Sequence, residues 1–182
     1  MRIVAGQWRG RKLNAPEGDT TRPTADRTRE TLFSMLVSRL GSFEGLAVAD
    51  LFAGSGALGL EALSRGAASC VFVEVDPPAI RALRTNIANL RAQSSCDVRA
   101  SSVLSLGPAK APLDLVLLDP PYHTGAGAVA LDKLHRLGWI GEATWVCLET
   151  AADEEPKVKS LEAVAERRVG KARLTLLRLK QG

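Results

Sequence analysis

Apolar residues recur along this chain with two different periods, and the switching between them outlines its elements. Leu32, Phe33, Leu36, Val37 and Leu40 repeat at helical spacing, which predicts a helix over residues 25–40 with Thr24 as N-cap and Gly41 as stop. Residues 46–52 form a buried-strand pattern, followed by a glycine turn and a short helix through Leu58, Ala62 and Leu63 that ends near Gly66. A second strand is predicted at 70–75. Asp76 then caps a helix that has Pro77 in its first position and Ile80, Leu83, Ile87 and Leu90 on one face. The pattern continues with a weak strand at 97–100, a strong one at 113–118, a helix at 128–137 and a strand at 144–149. An acidic helix is expected near 153–161, and residues 163–179 read as two strands turning at Gly170-Lys171. Strand alternating with helix makes this an α/β chain with a mostly parallel sheet covered on both faces, and the last hairpin is antiparallel.

Composition narrows the setting. The chain has 182 residues, 46% of them apolar, enough for one globular domain with its own core. No apolar run approaches the ~18 residues of a membrane span, and the first residues lack the apolar stretch of a secretory signal. A cytoplasmic protein is expected. Cys70, Cys96 and Cys147 are odd in number and scattered, so they read as small core residues in a reducing compartment. With His123 and His135 they make no zinc-ligand spacing, and no metal is expected.

The net charge of +4 is modest, but its distribution is uneven. Arg2, Arg9, Arg11 and Lys12 fall within twelve residues that hold no acid, and Trp8 lies among them. Cations with an aromatic suit phosphates and unpaired bases. Arg22 and Arg27 extend the candidate RNA-binding set along the chain. The breaker-rich segment 16–23 is expected to be a loop, so residues 1–23 are read as a basic arm that orders on its acceptor, and 24–182 as the main domain.

The chemistry concentrates at the ends of strands. Gly54-Ser55-Gly56-Ala57-Leu58-Gly59 places a Gly-x-Gly-x-x-Gly between a strand and a helix, where a ligand can approach the backbone. Glu74 ends the next strand and can accept from both ribose hydroxyls of an adenosine. These features suit a nicotinamide dehydrogenase and an S-adenosylmethionine methyltransferase equally. Asp50, just before the loop, favours the methyltransferase. It can orient the loop or meet an ammonium through water, whereas beside a pyrophosphate it would repel. Asp119-Pro120-Pro121-Tyr122 ends the strongest strand, at the sheet edge where ligands bind. The prolines stiffen the chain, leaving the Asp119 carboxylate and the Pro120 carbonyl as fixed acceptors for an exocyclic amino group, with the Tyr122 ring to stack on the base.

These motifs resemble the RsmD-like family of bacterial methyltransferases, which modify N2 of a guanine in 16S ribosomal RNA. The resemblance runs through residues 2–11, 22–33, 50–66 and 119–122. The glycine loop and Asp-Pro-Pro-Tyr are shared with other amino-group methyltransferases, whereas Gly6-Gln7-Trp8-Arg9-Gly10 and Arg22-Pro23-Thr24 are more specific. The resemblance implies a Rossmann-like seven-stranded sheet with the last strand inserted antiparallel, S-adenosyl-L-methionine as cofactor, and 16S ribosomal RNA, within a small-subunit ribonucleoprotein, as partner. It implies catalytic roles for Asp119, Pro120 and Tyr122 and cofactor contacts at Asp50, Gly54, Ser55, Gly56 and Glu74. Where many relatives of the broader class hold the adenine with an acid or amide, this chain has Ser102 and Val103. The alternatives are an adenine-N6 methyltransferase, a nicotinamide oxidoreductase, which leaves Asp-Pro-Pro-Tyr unexplained, and a non-enzymatic RNA-binding protein, which needs no glycine loop.

Overall fold

The computed structural model describes residues 1–16 and 23–181. Its elements follow the alternation of the sequence: α1 (Pro23–Leu40), β1 (Ala47–Leu51), α2 (Ala57–Ser64), β2 (Ser69–Val73), α3 (Pro77–Asn89), β3 (Cys96–Arg99), β4 (Leu115–Leu118), α4 (Ala126–Arg136), β5 (Trp145–Ala151), β6 (Leu161–Val169) and β7 (Ala172–Leu179). The strands form one sheet in the order β3-β2-β1-β4-β5-β7-β6. β1 to β5 are parallel, while β7 runs antiparallel to both β5 and β6, so the last strand lies inside the sheet.

The pleat sends alternate residues to opposite faces. Leu115 and Leu117 join a core with Leu32, Phe33 and Leu36 of α1, Leu60 and Leu63 of α2, and Leu83 and Ile87 of α3. Val116 and Leu118 join a second core with Leu131 and Leu134 of α4, Trp139 and Ile140. Burial on both faces explains why these strands are continuously apolar rather than alternating. Each fully buried Phe or Leu contributes about 1.5–3 kcal/mol. Strand order reverses between β1 and β4, and the crevice above their C-terminal ends is where an open sheet of this kind binds ligands.

Asp76 caps α3 as expected, accepting from the Ala79 N–H at 3.2 Å. Three expectations are corrected. α1 starts at Pro23, so Thr24 lies inside the helix. The acidic helix expected near 153–161 is a stretch of turns: Pro156 interrupts it, and the Glu154 carboxylate instead accepts from the Ala151 and His123 N–H groups. The N-terminal segment packs on the main domain instead of standing apart from it as an arm. Arg2 and Lys12 form an antiparallel bridge, and Ile3 and Leu13 are each only 2% exposed. Two apolar side chains at matching places anchor the loop to the core, and its basic residues stay outside.

Candidate active site

Four strands deliver an acid to one edge of the sheet. Asp50 lies near the end of β1, Glu74 just beyond β2, Asp119 just beyond β4 and Glu149 in β5. Asp50, Asp119 and Glu149 line a cleft of about 810 Å³ together with Phe52, Gly54, Ser55, Tyr122, Arg29 of α1 and Lys171 at the β6–β7 turn. An adjoining cavity of about 680 Å³ shares Phe52, Asp119, Tyr122 and Glu149 and adds Glu74 and Pro120. Phe52 has φ 57°, an uncommon conformation for a bulky side chain, and the strain sits where both cavities meet.

The glycine loop is held open by two of these acids. Gly54 adopts φ +57°, and a Cβ there would meet nothing within 4 Å, so its backbone faces free space that a ligand can enter. At Gly59 a Cβ would lie 2.4 Å from the Phe72 ring, so only glycine lets α2 pack this closely on β2. The Gly54 N–H donates to Glu74 Oε1 at 2.7 Å, and the Val75 and Asp76 N–H groups donate to Glu74 Oε2, each at 2.9 Å. Asp50 Oδ2 accepts from the Gly59 N–H at 2.9 Å, whereas Asp50 Oδ1 is buried with no hydrogen-bond partner. Burial raises the Asp50 carboxyl well above the usual carboxylate range, the Gly59 N–H opposes this, and Asp119 and Glu74 push it further up.

Asp119 and Glu149 act as a pair. Register places Leu118 beside Leu148, so the two acids stand side by side at the ends of adjacent strands. The Tyr122 hydroxyl donates to Glu149 Oε2 at 2.7 Å. Desolvation raises both carboxyls, and for Asp119 the charge of Glu149 adds to it. Asp119 is reachable by solvent from the cleft and surrounded by protein on its other sides.

Other candidates are dispersed. Ser55 lines the cleft, and its carbonyl accepts from Asn86 Nδ2 at 3.0 Å, while Gly56 opens α2 with φ 87° behind the loop. Ser102 accepts from the Leu104 N–H to cap a turn, and Val103 is buried, so neither lines the two cavities. Arg9, Lys12 and Arg27 are exposed, and Arg22 lies outside the described residues. Arg2 donates to the Gly10 carbonyl, Arg11 donates to the Asn89 carbonyl, and Trp8 packs partly on the core. Met1, Ala15, Pro16 and Ala25 line the cleft, so both ends of the basic loop reach its rim. Glu149 escaped sequence reasoning. Its signal was an acid ending a buried apolar strand, the pattern already noticed for Asp50, Glu74 and Asp119.

Among the described residues no group of His, Cys, Asp and Glu could hold a metal ion, and no helix is long and apolar enough to cross a membrane. The open backbone at Gly54, the unpartnered buried Asp50 oxygen and the uncompensated acids fit a cofactor that carries a cation and hydrogen-bond donors. With β7 inserted antiparallel, this fold and site define an S-adenosylmethionine-dependent methyltransferase of the Rossmann-like class. The family model described as Conserved hypothetical protein 95 matches residues 1–178. Ribosomal RNA small subunit methyltransferase D of Escherichia coli K12 is 39% identical over 153 residues, covering 84% of this chain and 76% of that protein. The protein of the same description from Haemophilus influenzae is 39% identical over 158 residues, covering 85% and 80%. The structure of yhhF, an Escherichia coli protein assigned as a methyltransferase, superposes with a TM-score of 0.86 at 36% identity, covering 99% of this chain and 98% of that one. The chain belongs to the ribosomal RNA small subunit methyltransferase D family.

Proposed function

We propose that this protein transfers a methyl group from S-adenosyl-L-methionine to the exocyclic N2 of a guanine in 16S ribosomal RNA, acting in the cytoplasm on a small-subunit ribonucleoprotein. The observation that carries the reading is the convergence on one cleft of the open glycine loop, the unpartnered Asp50 oxygen and the Asp119 acceptor. When bound, the cofactor supplies an electrophilic methyl group on a sulfonium. Glu74, which keeps the loop in place through the Gly54 N–H, would accept from the ribose hydroxyls, and the unpartnered Asp50 Oδ1 would take the ammonium end. Gly54 and Ser55 give the close backbone approach.

Guanine N2 is a poor nucleophile because its lone pair is delocalised into the ring. Asp119 and the Pro120 carbonyl accept the amino hydrogens, which favours a localised lone pair aimed at the methyl group, and Tyr122 stacks on the base. Asp119, with its raised proton affinity, takes the proton released after transfer. Arg9, Lys12, Arg22 and Arg27 supply phosphate contacts to the RNA. The test is methyl transfer from labelled cofactor to total RNA and to small subunits, followed by nucleoside identification. N2-methylguanosine is the expected product. N6-methyladenosine would move the protein to the adenine class, and the absence of transfer would overturn the reading.

A further inference from the structure

We propose that Glu149 selects guanine by accepting the N1–H of its Watson–Crick edge while Asp119 accepts from the neighbouring amino group. The inference rests on the guanine-N2 reading above. Two acceptors stand side by side here. The β4–β5 register sets Asp119 and Glu149 on adjacent strands, ~4.8 Å apart in the sheet, and both line the two cavities. Among the described residues no Lys, Arg or His forms an ion pair with either carboxyl. A carboxylate has about four lone-pair sites. On Glu149 the Tyr122 hydroxyl uses one of them, so capacity remains on a side chain that lines both cavities. That same contact holds the side chain in place.

The chemistry of the purines makes this placement selective. Guanine presents two adjacent donors, N1–H and the 2-amino group. Adenine presents an amino group beside a bare N1, whose lone pair would face the Glu149 carboxylate. An acceptor meeting an acceptor in a partly desolvated cleft leaves both unpaired and repelling. An amino-group site with Asp119 alone would accept either base.

The discriminating probe is 2-aminopurine, which keeps the 2-amino group but has an unprotonated N1. After the target is mapped, small subunits are reconstituted with guanine or 2-aminopurine at that position, and methylation is quantified by mass spectrometry of nucleosides. The parent enzyme should prefer guanine in kcat/KM by about a hundredfold or more, since a site built to receive a hydrogen-bond donor rejects an analogue lacking it. Glu149→Gln, whose amide can donate to the bare N1, should narrow or invert that ratio. Glu149→Asp, which keeps an acceptor, should still favour guanine. Equal use of both bases by the parent overturns the proposal, as does a folded Glu149→Gln that keeps the parental ratio. If Glu149→Gln fails to fold, the parent's ratio and that of Glu149→Asp decide in the same way. Absence of methylguanosine on natural subunits overturns the functional reading itself, and the proposal with it.

Discussion

Glu61 and the three acids of the cleft are treated in opposite ways in this molecule. Glu61 of α2 is fully buried and fully engaged. Its carboxylate accepts from the Val4 and Ala5 N–H groups at 2.9 and 3.1 Å and from Arg65 Nε at 2.9 Å, with Arg29 Nε a further 3.9 Å away. Among the described residues Asp50, Asp119 and Glu149 form no ion pair, and one Asp50 oxygen has no partner. Burial alone therefore does not mark a functional acid. Glu61 is a clamp, tying the basic loop and α1 to the helix that begins at the glycine loop. The cleft acids are held without a counter-charge, which costs stability and leaves capacity for ligands.

The sharpest way to break this comparison is to remove the clamp. Glu61→Ala should destabilise the fold by about 3–5 kcal/mol, because it leaves two backbone donors and the Arg65 guanidinium without their acceptor and takes one of two carboxylates from buried Arg29, which keeps Asp26. Chemical denaturation measures this, and a loss below ~1 kcal/mol would show the clamp to be ornamental. Asp119→Ala should do the reverse, leaving stability and cofactor affinity intact while turnover falls about a hundredfold or more, or ~2.7 kcal/mol. Asp119→Asn keeps an acceptor, so its activity separates holding the amine from taking the proton.

Glu74→Ala should weaken cofactor binding by about 1–3 kcal/mol in calorimetry. The loss has two sources, the ribose contacts and the released Gly54 N–H. Asp50→Asn should split the two properties further. A carboxyl raised by burial binds its proton more tightly in the folded state, so its stabilising contribution is complete below about pH 4 and is lost as pH climbs through the raised value. The variant should thus gain about 1–2 kcal/mol near neutral pH, with a flatter pH dependence of Tm, and bind cofactor more weakly. Tyr122→Phe has the smallest effect. From sequence it would be silent, but its hydroxyl anchors Glu149, so a few-fold loss of activity is expected, smaller than for Tyr122→Ala, which also removes the stacking ring.

What could be read in advance follows the range of the interactions. Asp76-Pro77, the glycine turn and the apolar strands are local signals, and each appears where the sequence puts it. The glycine loop and Asp119 were legible because motif and strand end coincide. Glu149 was not, since its meaning depends on the pairing of β4 with β5, a contact between segments about thirty residues apart. The docked N-terminal loop was misjudged for the same reason: Ile3 and Leu13 look incidental among arginines until Glu61 and Ser64 are seen to receive the backbone between them. The acidic stretch near Glu154 lost its expected helix to Pro156 and to two backbone donors, the local Ala151 N–H and the His123 N–H that the fold brings in.

The place of β7 inside the sheet has a consequence for the order of events during synthesis. β5, which carries Glu149, has its second edge covered only by residues 172–179, and β6 reaches the sheet solely through that strand. While this stretch is still in the ribosomal exit tunnel, the nascent sheet has an open apolar border and no place for β6. The active cleft therefore closes late, and a chain cut before Ala172 should collect as aggregates rather than as a weaker enzyme.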